Sequence, residues 1–333
     1  MKLLILANNL LRAGFRLRIA QHLDYLNREG IRCKVCQMPR KLLDRWKLFK
    51  TSVDYDAVLI HKKCLNAGDM AIFSHYCPRT IFDYDDAIMY SPSRPDSNLT
   101  SHFRLFRRMA RRMDVMIAGN EYLADHARSY CNNVHILPTG LDTTAYLAPH
   151  VPKNSGRIRL VWIGSESTLK YLAQLRPVFE KIGKKYTNVV LRIIADQFFD
   201  LDHMIVQKRP WKLENEVADL TSCDIGLSPI PDNRFTRGKC GFKILQYFAA
   251  GIPVIASPVG VNEKLLREGN AGLLASDMTQ WADAIEKMIR EIHFYRQLGK
   301  NGQKYVQIYD RSAVSEELCR IIKFFVSQEK IRN

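Results

Sequence analysis

The chain has 333 residues, 47% of them hydrophobic and 25% charged. That composition excludes a disordered or low-complexity protein, and the length suits two domains, each with its own core. Fifty Lys and Arg stand against 34 Asp and Glu, a formal net charge of +16. Residues 1–150 carry 22 of the basic and 14 of the acidic side chains, so both halves are basic and an anionic partner is expected: nucleic acid, an acidic membrane surface or a phosphorylated ligand.

Short β-rich runs alternate with helix-length amphipathic runs along the whole chain. KLLILANN, IRCKVCQM, DAVLIHK, RTIFDY, VMIAGN and VHILPT read as strands. GFRLRIAQHLDYLNREG reads as a helix with Ile19, Leu23 and Leu26 on one face and Gly30 as its stop. The composition shifts at 148–157, APHVPKNSGR, where a domain linker is expected. The pattern then restarts: RLVWIGS (strand), TLKYLAQLRPVFEKIGKKY (helix), VVLRIIAD and MIVQKR (strands), LENEVADLTSC (helix), IGLSPI and PVIAS (strands), and helices to about residue 328. This predicts an α/β chain of two doubly wound parallel sheets, with ligands at the carboxyl ends of the strands in a cleft between the domains. The expected domains are 1–148, 157–310 and a terminal helix at 311–333 crossing back to the first domain.

The amino terminus turns polar after a short apolar run and no small-residue cleavage site follows, so no signal peptide is expected. No apolar run approaches the ~18 residues of a membrane span. The eight cysteines have no disulfide-framework spacing, which points to a reducing compartment, and Cys33 and Cys36 read as packing cysteines on a strand. The first strand–helix loop, NNLLRAGFR, has Gly14 alone and no G-x-G-x-x-G, which argues against a nicotinamide dinucleotide site.

The stretch RGKCGFKILQYFAAGIPVIAS (237–257) carries the chemistry. A helix starting near Gly241 has Lys239 before it, Lys243 in its first turn and Gln246 and Tyr247 on the same face as Lys243, with Phe242, Leu245 and Ala249 on the neighbouring face. A helix amino terminus attracts anions through its free N–H groups. Cations there oppose the helix dipole, which a phosphate between them would explain; a solvated basic loop is the alternative.

QYFAAGIPVIASPVGVNEKLLREGNAGLL resembles the second domain of the nucleotide-sugar-dependent glycosyltransferases of the GT-B fold, retaining family 4, through Pro253, Val254, Gly260, Glu263 and Gly272. WIGSESTLK resembles the family's Gly-Arg-x-Lys segment, with Gly164 and Lys170 in place and Ser165 where Arg is usual. ILPTGLDTTAY, AGNEYLADHA and CDIGLSPIPD resemble further segments in the same order. The two family glutamates fall on Gly238 and Gln246, so the donor site is a variant one.

The resemblance implies two Rossmann-like domains facing each other across a cleft, and a hexosyltransferase-type enzyme (EC 2.4). Such an enzyme moves a sugar from a nucleoside-diphosphate sugar to a glycan or lipid-linked acceptor, with retention and without a metal, in cell-envelope or lipopolysaccharide synthesis. Fixed positive charge must then stabilise the departing diphosphate. The implied catalytic residues are Lys243, Lys170 and Asp85. The implied donor contacts are Gly164, Ser165, Lys170, Trp211, Lys212, Arg237, Lys239, Gly241, Phe242, Lys243 and Gln246. The acceptor belongs to the first domain, where FDYDDAIMY places Asp83, Asp85 and Asp86 in a strand-end loop and His61 ends a strand. Capping or solvated aspartates and a structural histidine are the other readings.

HFRLFRRMARR (102–112) and RKLLDRWKLFK (40–50) read as basic amphipathic helices suited to an anionic membrane surface, or as packed helices with a solvated basic face. The expected location is cytoplasmic, with peripheral association at the inner face of the membrane. Nucleic acid is not expected as a partner: the charge is dispersed and no recognition helix or aromatic-interleaved basic strand set is present. A basic nucleic-acid-binding protein, a GT-B sugar-nucleotide epimerase and a non-catalytic remnant are the alternatives.

Overall fold

The computed structural model describes residues 1–77, 79–147 and 156–328. Among them are two compact units. The first comprises Met1–Gly140, Asn233–Cys240 and the chain from Tyr309 onward; the second comprises Leu141–Asp232 and Gly241–Ile308. Most of the predicted linker, 148–155, lies outside the described residues, as does the end of the terminal helix beyond 328.

The first unit holds strands β1 (Lys2–Ala7), β2 (Arg32–Gln37), β3 (Ala57–His61), β4 (Thr80–Tyr84), β5 (Val115–Ala118) and β6 (Val134–Ile136). They form one parallel sheet in the order β2-β1-β3-β4-β5-β6. Strands β3, β4 and β5 are buried at every residue, which is why they read as unbroken apolar runs rather than alternating ones: helices cover both faces of a parallel sheet. Edge strand β2 is partly exposed and carries Cys33 and Cys36 as free thiols. The helix Arg311–Ser327 belongs to this unit, with Val314, Leu318, Ile321 and Ile322 in one cluster with Leu3, Ile5 and Phe15.

The second unit holds β7 (Ile158–Ile163), β8 (Val189–Ala195), β9 (Ile205–Pro210), β10 (Ile225–Ser228), β11 (Val254–Ala256) and β12 (Gly272–Leu274). These too are parallel, in the order β12-β11-β10-β7-β8-β9. Each unit is thus a Rossmann-like doubly wound sheet, as the alternation of strand and helix patterns predicts.

The differences from expectation are local. The helix expected over 168–186 is two, Glu166–Ala173 and Arg176–Lys185. Pro177 lacks the N–H that a helix interior needs and sits instead in the first turn of the second helix. The helix expected over 14–30 is likewise broken into Ala13–Arg18, a 3₁₀ turn at Ala20–His22 and Leu23–Arg28; both Arg18 and His22 are buried at the break. Strand β12 has three residues and was not expected. The helix Ser101–Ala110 buries Phe106 and Met109 in the core of the first unit. Its apolar side is therefore packed in the core, as the second of its two readings has it. Among the described residues no helix is long and apolar enough to cross a membrane.

His22 is 1% exposed, and its Nδ1 is hydrogen-bonded to Ser315 Oγ at 2.7 Å, tying the broken helix to Arg311–Ser327. Burial, reinforced by the charges of Arg18 and Arg311 against that of Asp83, pushes the imidazole down from 6.5 to about 4. The unfolded chain therefore binds a proton that the folded chain refuses. Stability should be unaffected by this group above pH 6.5 and fall as the pH drops toward 4, by about 3 kcal/mol in all. Urea unfolding of wild type and His22→Gln at pH 7 and pH 5 checks this: the wild type should lose more stability between the two, and equal losses would refute the assignment.

Candidate functional site

In the second unit, β7 delivers Trp162, Ile163 and Gly164 to its carboxyl end. Trp162 is 1% exposed. A Cβ on Gly164 would lie 2.5 Å from two Trp162 ring carbons, so only glycine lets the loop pass that closely over the indole. Lys243 reaches the same ring, with Nζ 5.1 Å from its centroid. Two segments separated by about eighty residues therefore meet on one tryptophan. The sequence did not mark Trp162 itself; its only signal was its place two residues before Gly164.

Lys243 is the second residue of the helix Phe242–Ala249. The residue that starts this helix, Gly241, has φ +65°, and a Cβ there would also lie 2.5 Å from Leu265 Cδ1. No side chain caps the helix and no acid stands in its first turn. Its N–H groups and the Lys243 ammonium form an electropositive end suited to a phosphate oxygen. Phe242 is half-buried. Gln246 is buried, and Tyr247 belongs to the core: its hydroxyl accepts from the Ile163 N–H at 3.2 Å and donates to the Leu227 carbonyl at 3.1 Å. This bond clamps the helix under β7 and β10.

Ser165 precedes the helix Glu166–Ala173, and the Glu166 N–H donates to Asp196 at 2.8 Å. Lys170 lies in the last turn of that helix, exposed, over the ring of Tyr171 and in no ion pair among the described residues. Trp211 follows β9; its indole N–H donates to Glu216 at 2.7 Å, which fixes the ring while leaving it 38% exposed. Lys212 beside it is exposed.

The first unit holds the remaining candidates. Asp83 lies within β4, 1% exposed, between Arg18 at 2.8 Å and His61 Nδ1 at 2.8 Å. Asp83 thus lies inside the strand in a buried ion pair with Arg18 rather than in the strand-end loop, which corrects that part of the expectation, and His61, the last residue of β3, is buried against it. Asp85 and Asp86 form a second network. The Lys62 ammonium touches Asp85 and lies 2.7 Å from Asp86, whose other oxygen is 2.8 Å from Lys239. Burial alone would raise Asp86, but Lys239 and Lys62 outweigh it and hold the carboxyl well below the usual range. Lys62 has φ +57°, a conformation costly to a side-chain-bearing residue and kept where the surroundings impose it.

Lys239, one of the cations expected at a diphosphate, is therefore paired with Asp86. Arg237 is exposed at the end of the short helix Arg234–Arg237. Asn120, which caps the helix Glu121–Arg128 by accepting from the Leu123 N–H, also donates to the carbonyls of Gly238 and Lys239 at 3.1 and 3.3 Å. Beside the network lies a cavity of about 370 Å³, lined by Lys62, Lys63, Asp86, Tyr90, His102 and Phe235 among others. Among the described residues no group of three His, Cys, Asp or Glu side chains is placed to hold a metal ion.

Gly238, the position of the first family glutamate, is a packing glycine. A Cβ there would meet Ala87 Cβ at 2.6 Å and Leu123 Cδ2 at 2.9 Å. Its φ of −80° is open to any residue, so the constraint is steric alone. Gly238→Ala should cost about 1–3 kcal/mol through overpacking. A thermal melt should show a transition lower by several degrees, and Gly238→Glu, which restores the family residue, should be worse; an unchanged melt for Gly238→Glu would show that the segment can make room.

Residues 139–291 match the family model of glycosyl transferases group 1. A stretch of 83 residues is 31% identical to phosphatidyl-myo-inositol mannosyltransferase of Mycobacterium leprae, covering 24% of this chain. The chain matches only about a fifth of that curated relative, 22% of its length. Among solved structures, sucrose-phosphate synthase of Thermosynechococcus elongatus superposes with a TM-score of 0.76 at 13% identity, over 98% of this chain and 100% of that one. HepE of Anabaena, in complex with UDP and glucose, gives 0.73 at 14% identity, over 97% and 100%. Residues 139–291 are thus similar to the group 1 glycosyltransferases, and the two Rossmann-like units have the GT-B fold.

Proposed function

We propose that the chain transfers a sugar from a nucleoside-diphosphate sugar to a glycan or lipid-linked acceptor, with retention of anomeric configuration, in the synthesis of cell-envelope glycans such as lipopolysaccharide at the inner face of the cytoplasmic membrane. The observation that carries the donor half of this reading is the meeting of Gly164 and Lys243 on Trp162, next to an uncapped helix amino terminus. As the bond between the anomeric carbon and the phosphate oxygen breaks, the electron pair leaves with the diphosphate. Positive charge fixed before the reaction stabilises that leaving group without reorganisation. Lys243 and the N–H groups of its helix supply it, and Lys170, exposed beside the Tyr171 ring, supplements it. The partly exposed face of Trp211 receives the base.

A uridine nucleotide is the first donor to test, because the Anabaena protein of the same fold is in complex with UDP and glucose. The acceptor is assigned to the first unit, at the cavity beside Asp86. Asp85, already in contact with Lys62, positions an acceptor hydroxyl there.

A thermal-shift series with UDP, GDP, ADP and CMP should give one nucleotide that raises the melting temperature, since a ligand that binds only the folded state stabilises it. With that donor, Lys243→Ala should retain the fold and lose about 10²–10³-fold in turnover, the effect of removing one preorganised charge or donor from a developing anion. A near-normal rate would remove Lys243 from the mechanism, and no response to any nucleotide would refute the donor assignment.

A further inference from the structure

Of the two basic helices that the sequence offers to a membrane, one keeps its apolar side outside. Along Leu42–Lys50, Arg45, Leu48 and Phe49 fall on one side: Phe49 is fully buried, Leu48 packs against the core and Arg45 pairs with Asp69 at 2.8 Å. The helical repeat puts Leu42, Leu43, Trp46, Lys47 and Lys50 on the other. There Leu42 is 52% exposed, Leu43 71% and Trp46 38%, and Val53 in the next turn is 61% exposed. A groove of about 520 Å³ opens beside them, lined by Trp46, Lys47, Lys50, Val53 and Tyr76 among others. Arg40, Lys41, Lys47 and Lys50 surround this apolar group and none makes an ion pair among the described residues; Lys50 instead lies 5.7 Å from the Trp46 ring centroid. Asp44 and Asp54 are the acids alongside, so the patch is net positive.

We propose that this face docks on an anionic phospholipid bilayer, with Leu42, Leu43 and Trp46 entering the headgroup region and the four cations on lipid phosphates. Three features favour a lipid surface. Large apolar side chains standing together in water mark a docking surface. A tryptophan flanked by lysines suits the interface, where its ring is half in hydrocarbon and half wet. Basic residues around an apolar face select anionic lipid. A second copy of the chain would oppose the same cations to each other in a protein whose net charge is already +16. The inference deepens the proposed transfer to a lipid-linked acceptor, but its test needs neither donor nor acceptor.

The full chain is sedimented with vesicles of phosphatidylcholine, with and without phosphatidylglycerol. Pelleting is expected only with the anionic lipid and should weaken as salt rises. Tryptophan emission should shift to the blue on binding, and Trp46→Phe should lose the shift while still pelleting. Leu43→Glu with Trp46→Glu, and separately Lys47→Glu with Lys50→Glu, should each weaken binding at least about tenfold, with melting temperature and nucleotide response unchanged. Nucleotide binding without pelleting would overturn this inference and leave the donor assignment standing. So would variants that pellet like the wild type, or a wild-type dimer in solution that Leu43→Glu disperses.

Discussion

Asp86 lies between two ammonium groups, Lys62 from the end of β3 and Lys239 from a segment far along the chain. A carboxylate so placed is held ionised, and removing it would leave two cations crowded together. Much follows from this one pairing. It gives Lys239 a structural partner. It seats the segment 233–240 on the first unit, where Asn120 grips the carbonyls of Gly238 and Lys239 and Gly238 packs against Ala87. Gly238 is therefore part of a packing arrangement.

In the second unit the organising group is the ring of Trp162. It is buried, yet Gly164 passes over it and Lys243 reaches it. An ammonium over an indole face is held by the ring's quadrupole and keeps its charge. Tyr247 fixes the same helix from below through two backbone groups of the sheet. Lys239, already paired with a carboxylate, has far less to offer a phosphate.

The fold was legible in the sequence because central parallel strands buried on both faces write themselves as continuous apolar runs, while the more exposed edge strands β2 and β9 keep a strand-like pattern, and eleven of the strands stand where these runs predict. Strand β12, three residues long, leaves too short a signature. The helix broken at Pro177 could have been foreseen from the proline alone; the break at Arg18–His22 could not, because its partners Asp83 and Ser315 are remote in sequence. The candidate site was legible only in part. Motif spacing singles out Gly164 and Lys243, which meet on Trp162. It could not single out Trp162, Asn120 or Lys62, whose parts depend on which distant groups they meet. Nor could it place Asp83 inside its strand or pair Lys239 with Asp86, because a charge reads the same in a sequence whether it faces water or an opposite charge.

The first unit is assembled from three separate pieces of chain: the first 140 residues, the short segment 233–240, and the stretch from Tyr309 onward. A chain made from its amino terminus on the ribosome has the six strands of this unit early. It lacks the helix whose Val314, Leu318 and Ile322 complete the cluster over β1 until all of the second unit has been synthesised. The nascent sheet must therefore wait with an uncovered apolar face while its neighbour folds, a period in which aggregation competes and chaperones have most to do.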